Sequence, residues 1–288
     1  LKILLILVSL LFPWAIYAEN ISLTTENIDA QQAQKVTTWL NTGVMAVETT
    51  LTPIPHSQVK ITVKGYPDAM EPVPWGQILR EQPIEVLLYV NPNMPLTSFV
   101  DDWTLYHELS HLYFPYLDYQ NFWLSEGFAT YMQYLSMFQG RIINQSQFVE
   151  RIKQGLLRGE MKTREKPGKL NEVSADMWQQ RAFKRVYWSG AAFFMEADLH
   201  LIADGNDLTE IIGNFSHCCL QQRMTGEELV NTLDKLSDTD IFSQLHQRYR
   251  HRLDFPAINQ QQLRALAKHY QNKQPVSVMR QHSKVIAD

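Results

Sequence analysis

The stretch SFVDDWTLYHELSHLYF, from Ser98 to Phe114, decides how the rest of the chain is read. Its apolar spacing predicts one helix over the whole segment, with Asp101 and Asp102 placing acid in the first turn. Within it His107 and His111 stand four residues apart, which stacks both imidazoles on one helix face. Two imidazoles so placed clamp a metal ion. A zinc ion takes neutral nitrogen or anionic oxygen donors in a tetrahedral arrangement, and a catalytic site uses three protein ligands plus a water. Glu108 lies one residue past the first histidine, so its carboxylate reaches such a water rather than the metal. Chance supplies this five-residue pattern in about 1–2% of chains of such composition, so a third ligand has to be found before the pattern carries weight.

That ligand is expected at Glu126, within WLSEGFATY from Trp123 to Tyr131. Fourteen residues separate it from His111, and Phe114 to Asn121 ends one helix and turns the chain into the next. An isolated glutamate is by default a solvated side chain. One placed between Leu124 and Phe128, with Gly127 allowing a close backbone approach, is better explained as a metal ligand.

Outward from this pair of helices, the front of the chain reads differently. Apolar residues from Thr25 to about Leu51 recur at helical spacing, and Pro53 and Pro55 stop that helix. Val59, Ile61 and Val63 then alternate with polar residues, as a half-buried strand does. Trp75 to Arg80 and Ile84 to Val90 read as two further strands. Beyond Leu96 helical spacing takes over, with helices expected over Trp123 to Gln139, Gln145 to Leu157, Arg185 to Ala203, Leu208 to Phe215, Glu227 to Leu236, Asp240 to Arg252 and Gln260 to Tyr270. The charged Arg158 to Asn171, with Pro167-Gly168, reads as a surface loop. The fold class expected is α+β, a small N-terminal sheet followed by a mostly helical subdomain. The division is residues 1–18, 19–95 for the sheet-bearing α/β part, and 96–288 for the helical part.

A chain of 288 residues, 45% hydrophobic and 19% charged, can bury a substantial core. Its net charge of −4 leaves no basic surplus for neutralising phosphates, so nucleic acid is not an expected partner. Lys2, the apolar run Ile3 to Phe12, Pro13 and the small residue Ala18 read as a secretory signal, too short to span a bilayer. Export to a bacterial periplasm is the expectation, with no membrane span after cleavage. The two cysteines, Cys218 and Cys219, are adjacent, and neighbours rarely reach disulfide geometry, so they read as two buried thiols. An intermolecular bridge or a vicinal bond is the alternative.

Three blocks resemble the gluzincin metallopeptidases, specifically the aminopeptidase N and glycyl aminopeptidase families. YHELSHL from Tyr106 to Leu112 is similar to their zinc helix, and WLSEGFATY to the block bearing their third ligand. Tyr187-Trp188-Ser189-Gly190-Ala191 is similar to the Tyr-x-x-Gly-Ala segment that opens a helix in both families. The resemblance implies a thermolysin-like catalytic domain and one zinc ion held by His107, His111 and Glu126. It also implies Glu108 as general base, Tyr187 as oxyanion donor and a peptide or protein substrate. A neutral hydroxyl suits the role of Tyr187, because an oxyanion needs a donor aimed at the charge that develops.

The chain departs from the aminopeptidase N pattern in two respects. Its connection from the second histidine to the third ligand is fourteen residues against the family's usual eighteen, and the family's Gly-Ala-Met-Glu-Asn block has only a faint echo in Asp68-Ala69-Met70-Glu71-Pro72. Glu71 would correspond to the residue that grips a substrate amine. Strand Trp75 to Arg80 is a candidate edge against which an extended peptide could lie. The competing readings are a non-catalytic periplasmic binding or scaffold protein that keeps the zinc helix as structure, and a zinc hydrolase acting on non-peptide bonds. His56, His200, His217, His246, His251, His269 and His282 lack ligand spacing and read as ordinary histidines.

Overall fold

The structure, a computed structural model, describes residues 20–273. The signal reading of residues 1–18 and the reading of His282 lie outside these. The chain enters through strand β1 (Ile21–Glu26), which the sequence pattern does not reveal. Ile21 and Leu23 are its only strongly apolar residues, and its extended state comes from parallel pairing with β2 (Val59–Gly65), in register Leu23 to Ile61. Helix α1 (Ala30–Thr50) lies between them, opened by a capping box of Asp29 and Gln32. Strands β3 (Trp75–Leu79) and β4 (Ile84–Val90) complete a sheet of order β1-β2-β4-β3. Only β3 runs antiparallel, and it occupies the edge.

The expected helix over 98–114 is three pieces. α2 (Leu96–Asp101) stops, α3 (Thr104–Ser110) begins, and His111–Tyr113 form a single 3₁₀ turn. Asp102 causes the break. Its backbone is extended and its carboxylate accepts the Thr104 N–H at 2.8 Å, so it starts a new helix instead of continuing the old one.

Helix α4 (Phe122–Gln139) is buried from Trp123 to Phe138 on every face, as a helix sheathed by others must be. α5 (Gln145–Glu165) runs through most of the expected charged loop. Its charges face solvent, where Arg164 pairs with Glu160 one turn away, while Gly159 and Thr163 keep the other face buried. Pro167 and Gly168 end it, and the short α6 (Leu170–Ala175) and α7 (Met177–Gln180) follow. Then come α8 (Phe183–Ala203), α9 (Leu208–Cys218), α10 (Gly226–Ser237), α11 (Ile241–Arg250) and α12 (Gln260–Asn272). Among the described residues no helix is long and apolar enough to cross a membrane.

The cysteines are not two buried thiols. Cys218 is exposed, Cys219 half-buried, and they are joined to each other by a disulfide. They sit where the backbone leaves helical geometry at the end of α9, which frees the two side chains from the diverging directions a helix imposes.

Asp198, on α8, ties four helices together. It accepts hydrogen bonds from the Tyr131 hydroxyl of α4 at 2.7 Å, the Tyr270 hydroxyl of α12 at 2.9 Å and the Leu208 N–H that opens α9 at 2.8 Å. Burial pushes its carboxyl up to about 6, against the pull of those donors. The folded chain therefore keeps a proton there that the unfolded chain releases near pH 4, and stability from this group falls as pH rises from about 4 to about 6. Replacing Asp198 by Asn should flatten that part of the stability curve, measured as urea midpoints across the window. The same slope in wild type and variant would exclude Asp198 as its source.

Candidate metal centre

Helix α3 and the turn after it present His107 and His111 on one face, and α4 brings Glu126 opposite them. His107 Nε2 lies 3.2 Å from Glu126 Oε2, and His111 Nε2 lies 3.7 Å from Oε1. The two imidazole centroids are 4.9 Å apart and nearly perpendicular. One donor atom from each of the three residues falls within 4.8 Å of the others, and all three are buried. Two nitrogens and a carboxylate oxygen converging this way are a donor set that zinc accepts, with a fourth position left for water or substrate.

The electrostatics suit that use. Burial draws His111 down to about 3, leaving its imidazole neutral and its lone pair available. Burial opposes the charge of Glu126, but His111 and His107 beside it hold its carboxyl below the ordinary value. Glu108 is also buried, and desolvation pushes it up to about 7, with Glu126 adding and His107 opposing. A carboxyl poised there can take up and release a proton near neutral pH.

Two close approaches position these groups. Gly76 of β3 backs onto Glu108, so that a Cβ there would lie 2.8 Å from Glu108 Cγ. Gly127 and Gly190 let α4 and α8 touch through their backbones, since a Cβ on Gly127 would fall 2.2 Å from the Gly190 carbonyl carbon. This crossing carries Tyr187 to the site. Its ring stacks on His107 at 5.7 Å, and burial together with the Glu126 and Glu108 carboxylates raises its hydroxyl well above the usual value, so it stays protonated.

A cleft of about 410 Å³ opens over these residues, walled on one side by β3 from Trp75 to Ile78 and on the other by Trp178, Phe183 and Tyr187. Glu71 and Asp102 line the same cleft. Among the remaining described histidines, His56 meets the Leu112 carbonyl, His246 the Asn121 side chain and His269 Asp207.

The sequence reading misses Gln133. Its side-chain oxygen accepts the His107 Nδ1–H at 2.8 Å, which fixes the ring with Nε2 facing Glu126 Oε2 at the centre. Gln133 stands seven residues after Glu126, two turns along the same helix face, and that spacing was a readable signal. Ser125, with Oγ at 3.4 Å from His111 Nδ1, gives no such signal. Replacing Gln133 by Ala should weaken zinc binding about 10- to 100-fold, read by competition with a chelating dye. Equal zinc affinity in both proteins would deny Gln133 any orienting role.

Residues 108–192 match the family model of the M61 glycyl aminopeptidases. No curated protein sequence matches the chain. Among solved structures, native yeast LTA4 hydrolase is 13% identical with a TM-score of 0.59, covering 84% of this chain and 39% of its own. An aminopeptidase N family protein from Idiomarina loihiensis is 14% identical with a TM-score of 0.57, covering 84% and 46%. A mutant M1 zinc metallopeptidase from Deinococcus radiodurans is 14% identical with a TM-score of 0.51, covering 83% and 50%. The chain spans about half the length of these proteins or less, and at such identities the likeness is one of fold. The mixed α/β architecture with its small leading sheet is the fold these structures share, and the stretch from Glu108 through Tyr187 and beyond is the part of the chain that is similar to the M61 glycyl aminopeptidases.

Proposed function

We propose that the chain is a zinc-dependent peptidase with a thermolysin-like layout, sheet on one side of the cleft and helices on the other, acting as an aminopeptidase. The observation that carries the reading is the convergence of His107, His111 and Glu126 donor atoms within 4.8 Å in a cleft that Glu108 and Tyr187 also line. His107, His111 and Glu126 would hold the zinc ion, which would supply Lewis acidity toward a peptide carbonyl and a water.

The remaining chemistry belongs to the chain. Glu108 takes the proton of the attacking water and passes a proton to the leaving amine, a two-way use that suits a buried carboxyl raised to about 7. Tyr187 donates its hydroxyl proton in a hydrogen bond to the oxygen that becomes negative as the carbonyl is attacked. An extended peptide adds to the free edge of β3 through main-chain hydrogen bonds, which fixes its direction past Glu108. Glu71 and Asp102 supply negative charge at the Trp103 end of the cleft, where a free amine would sit. A non-catalytic scaffold is not favoured, because such a protein has no use for a buried, proton-poised Glu108 facing the cleft.

Replacing Glu108 by Gln should abolish peptide hydrolysis while the zinc-to-protein ratio stays near one, and Tyr187→Phe should lower kcat about 10²- to 10³-fold with zinc retained. Glu126→Ala should lose zinc. Undiminished turnover in the Glu108→Gln protein would defeat the reading.

A further inference from the structure

The cleft does not end at the metal ligands. Ile78, His111, Phe122 and Glu126 line both the cleft already described and a second cavity of about 320 Å³ on the far side of the centre. That cavity holds two arginines, Arg80 and Arg223. Neither is paired with a carboxylate among the described residues. Arg80, at the end of β3, donates from Nη1 to the Phe114 carbonyl at 2.9 Å and from Nη2 to the His111 carbonyl at 3.3 Å. A guanidinium has five N–H groups, so three remain. Arg223 is exposed and lies over the Tyr116 ring at 5.0 Å.

The two are held relative to each other. The Gln222 side chain donates to the Arg80 carbonyl at 2.7 Å, the Tyr116 N–H donates to the Gln222 carbonyl at 3.0 Å, and the Met224 N–H donates to the Tyr116 carbonyl at 3.2 Å. The loop that carries Arg223 is thereby pinned to the strand end that carries Arg80. Two acids share the cavity: Glu81, exposed on its rim, and Glu126, whose oxygens are turned toward the histidines. Across the centre stand Glu71 and Asp102. The continuous cleft is thus acidic at one end and cationic at the other, the polarity of a short peptide with both termini free.

We propose that Arg80 and Arg223 form a carboxylate-binding subsite that takes the free α-carboxylate of a short peptide on the leaving-group side of the scissile bond. The proposal rests on the peptidase reading of the centre and narrows it to short peptides. Planar guanidinium forks match carboxylate geometry, and the apolar Ile78 and Phe122 between centre and arginines suit the intervening residue. An Asp or Glu side chain just past the scissile bond would present the same chemistry, so the test separates the two sources.

Zinc-loaded Glu108→Gln protein is titrated calorimetrically with trialanine, with trialanine amide, and with the amides Ala-Glu-NH2 and Ala-Gln-NH2. Trialanine should bind about tenfold tighter than its amide, the Arg223→Ala change should erase that difference, and Arg80→Lys should reduce it. Arg80→Lys keeps the charge where loss of the side chain would free the carbonyls of His111 and Phe114; thermal melts of both variants check folding. A preference for Ala-Glu-NH2 over Ala-Gln-NH2 with none for trialanine over its amide would overturn the α-carboxylate assignment in favour of a side chain. No acid preference at all, or one that survives Arg223→Ala, would overturn the subsite. Hydrolysis by the unaltered enzyme separates the two levels. Peptides cleaved without acid preference leave the peptidase reading standing and the subsite fallen, Arg-dependent binding without cleavage does the reverse, and neither binding nor cleavage defeats both.

Discussion

The site depends on one contact, the crossing of α4 and α8 at Gly127 and Gly190. A Cβ on Gly190 would lie 1.9 Å from the Trp123 carbonyl oxygen, so the two helices touch backbone to backbone with nothing between them. Glu126 precedes the first glycine and Tyr187 lies three residues before the second, so the approach that brings the backbones together also sets those side chains beside the same imidazole. Any larger residue at either position would separate the helices and the groups they carry. The short blocks WLSEG and YWSG therefore read as packing motifs as much as chemical ones.

Around that crossing, α4 is enclosed on all sides, and this accounts for the unusual charge states of the centre. Buried ionisable groups are costly unless paired or metal-bound, and Glu108, His107, His111 and Glu126 are all buried within one small volume. The burial that neutralises His111 also raises Glu108 to about 7. The same exclusion of water thus acts on the candidate donor His111 and the proposed base Glu108, without a separate device for each. Asp198, farther along α8, shows the structural counterpart: three donors satisfy it, and it links helices instead of binding a ligand.

Much of the fold was legible wherever one helix or strand speaks for itself. β2 shows alternation between apolar and polar residues, β4 shows a run of strand-forming apolar residues, and α4, α8 and α12 show long apolar spacing because packing demands it. β1 escaped because its extended state rests on pairing with β2 across more than thirty intervening residues. The charged end of α5 escaped for the opposite reason: its solvated face dominates the composition, while Gly159 and Thr163 make the contacts that hold it. The break at Asp102 is a contest between helix propagation and one side-chain hydrogen bond, which periodicity does not register.

The sequence by itself determined the candidate donor types and the local spacing, since two histidines four apart on a helix need no tertiary information to share a face. It also supplied the polar and glycine neighbours of Glu126 and Tyr187. Tertiary structure decided which groups converge: Gln133 behind His107, Gly76 against Glu108, and Arg80 and Arg223 beyond the centre. Those relations join residues from separate elements, and distance through space between elements is set by how their faces pack, which no local pattern encodes.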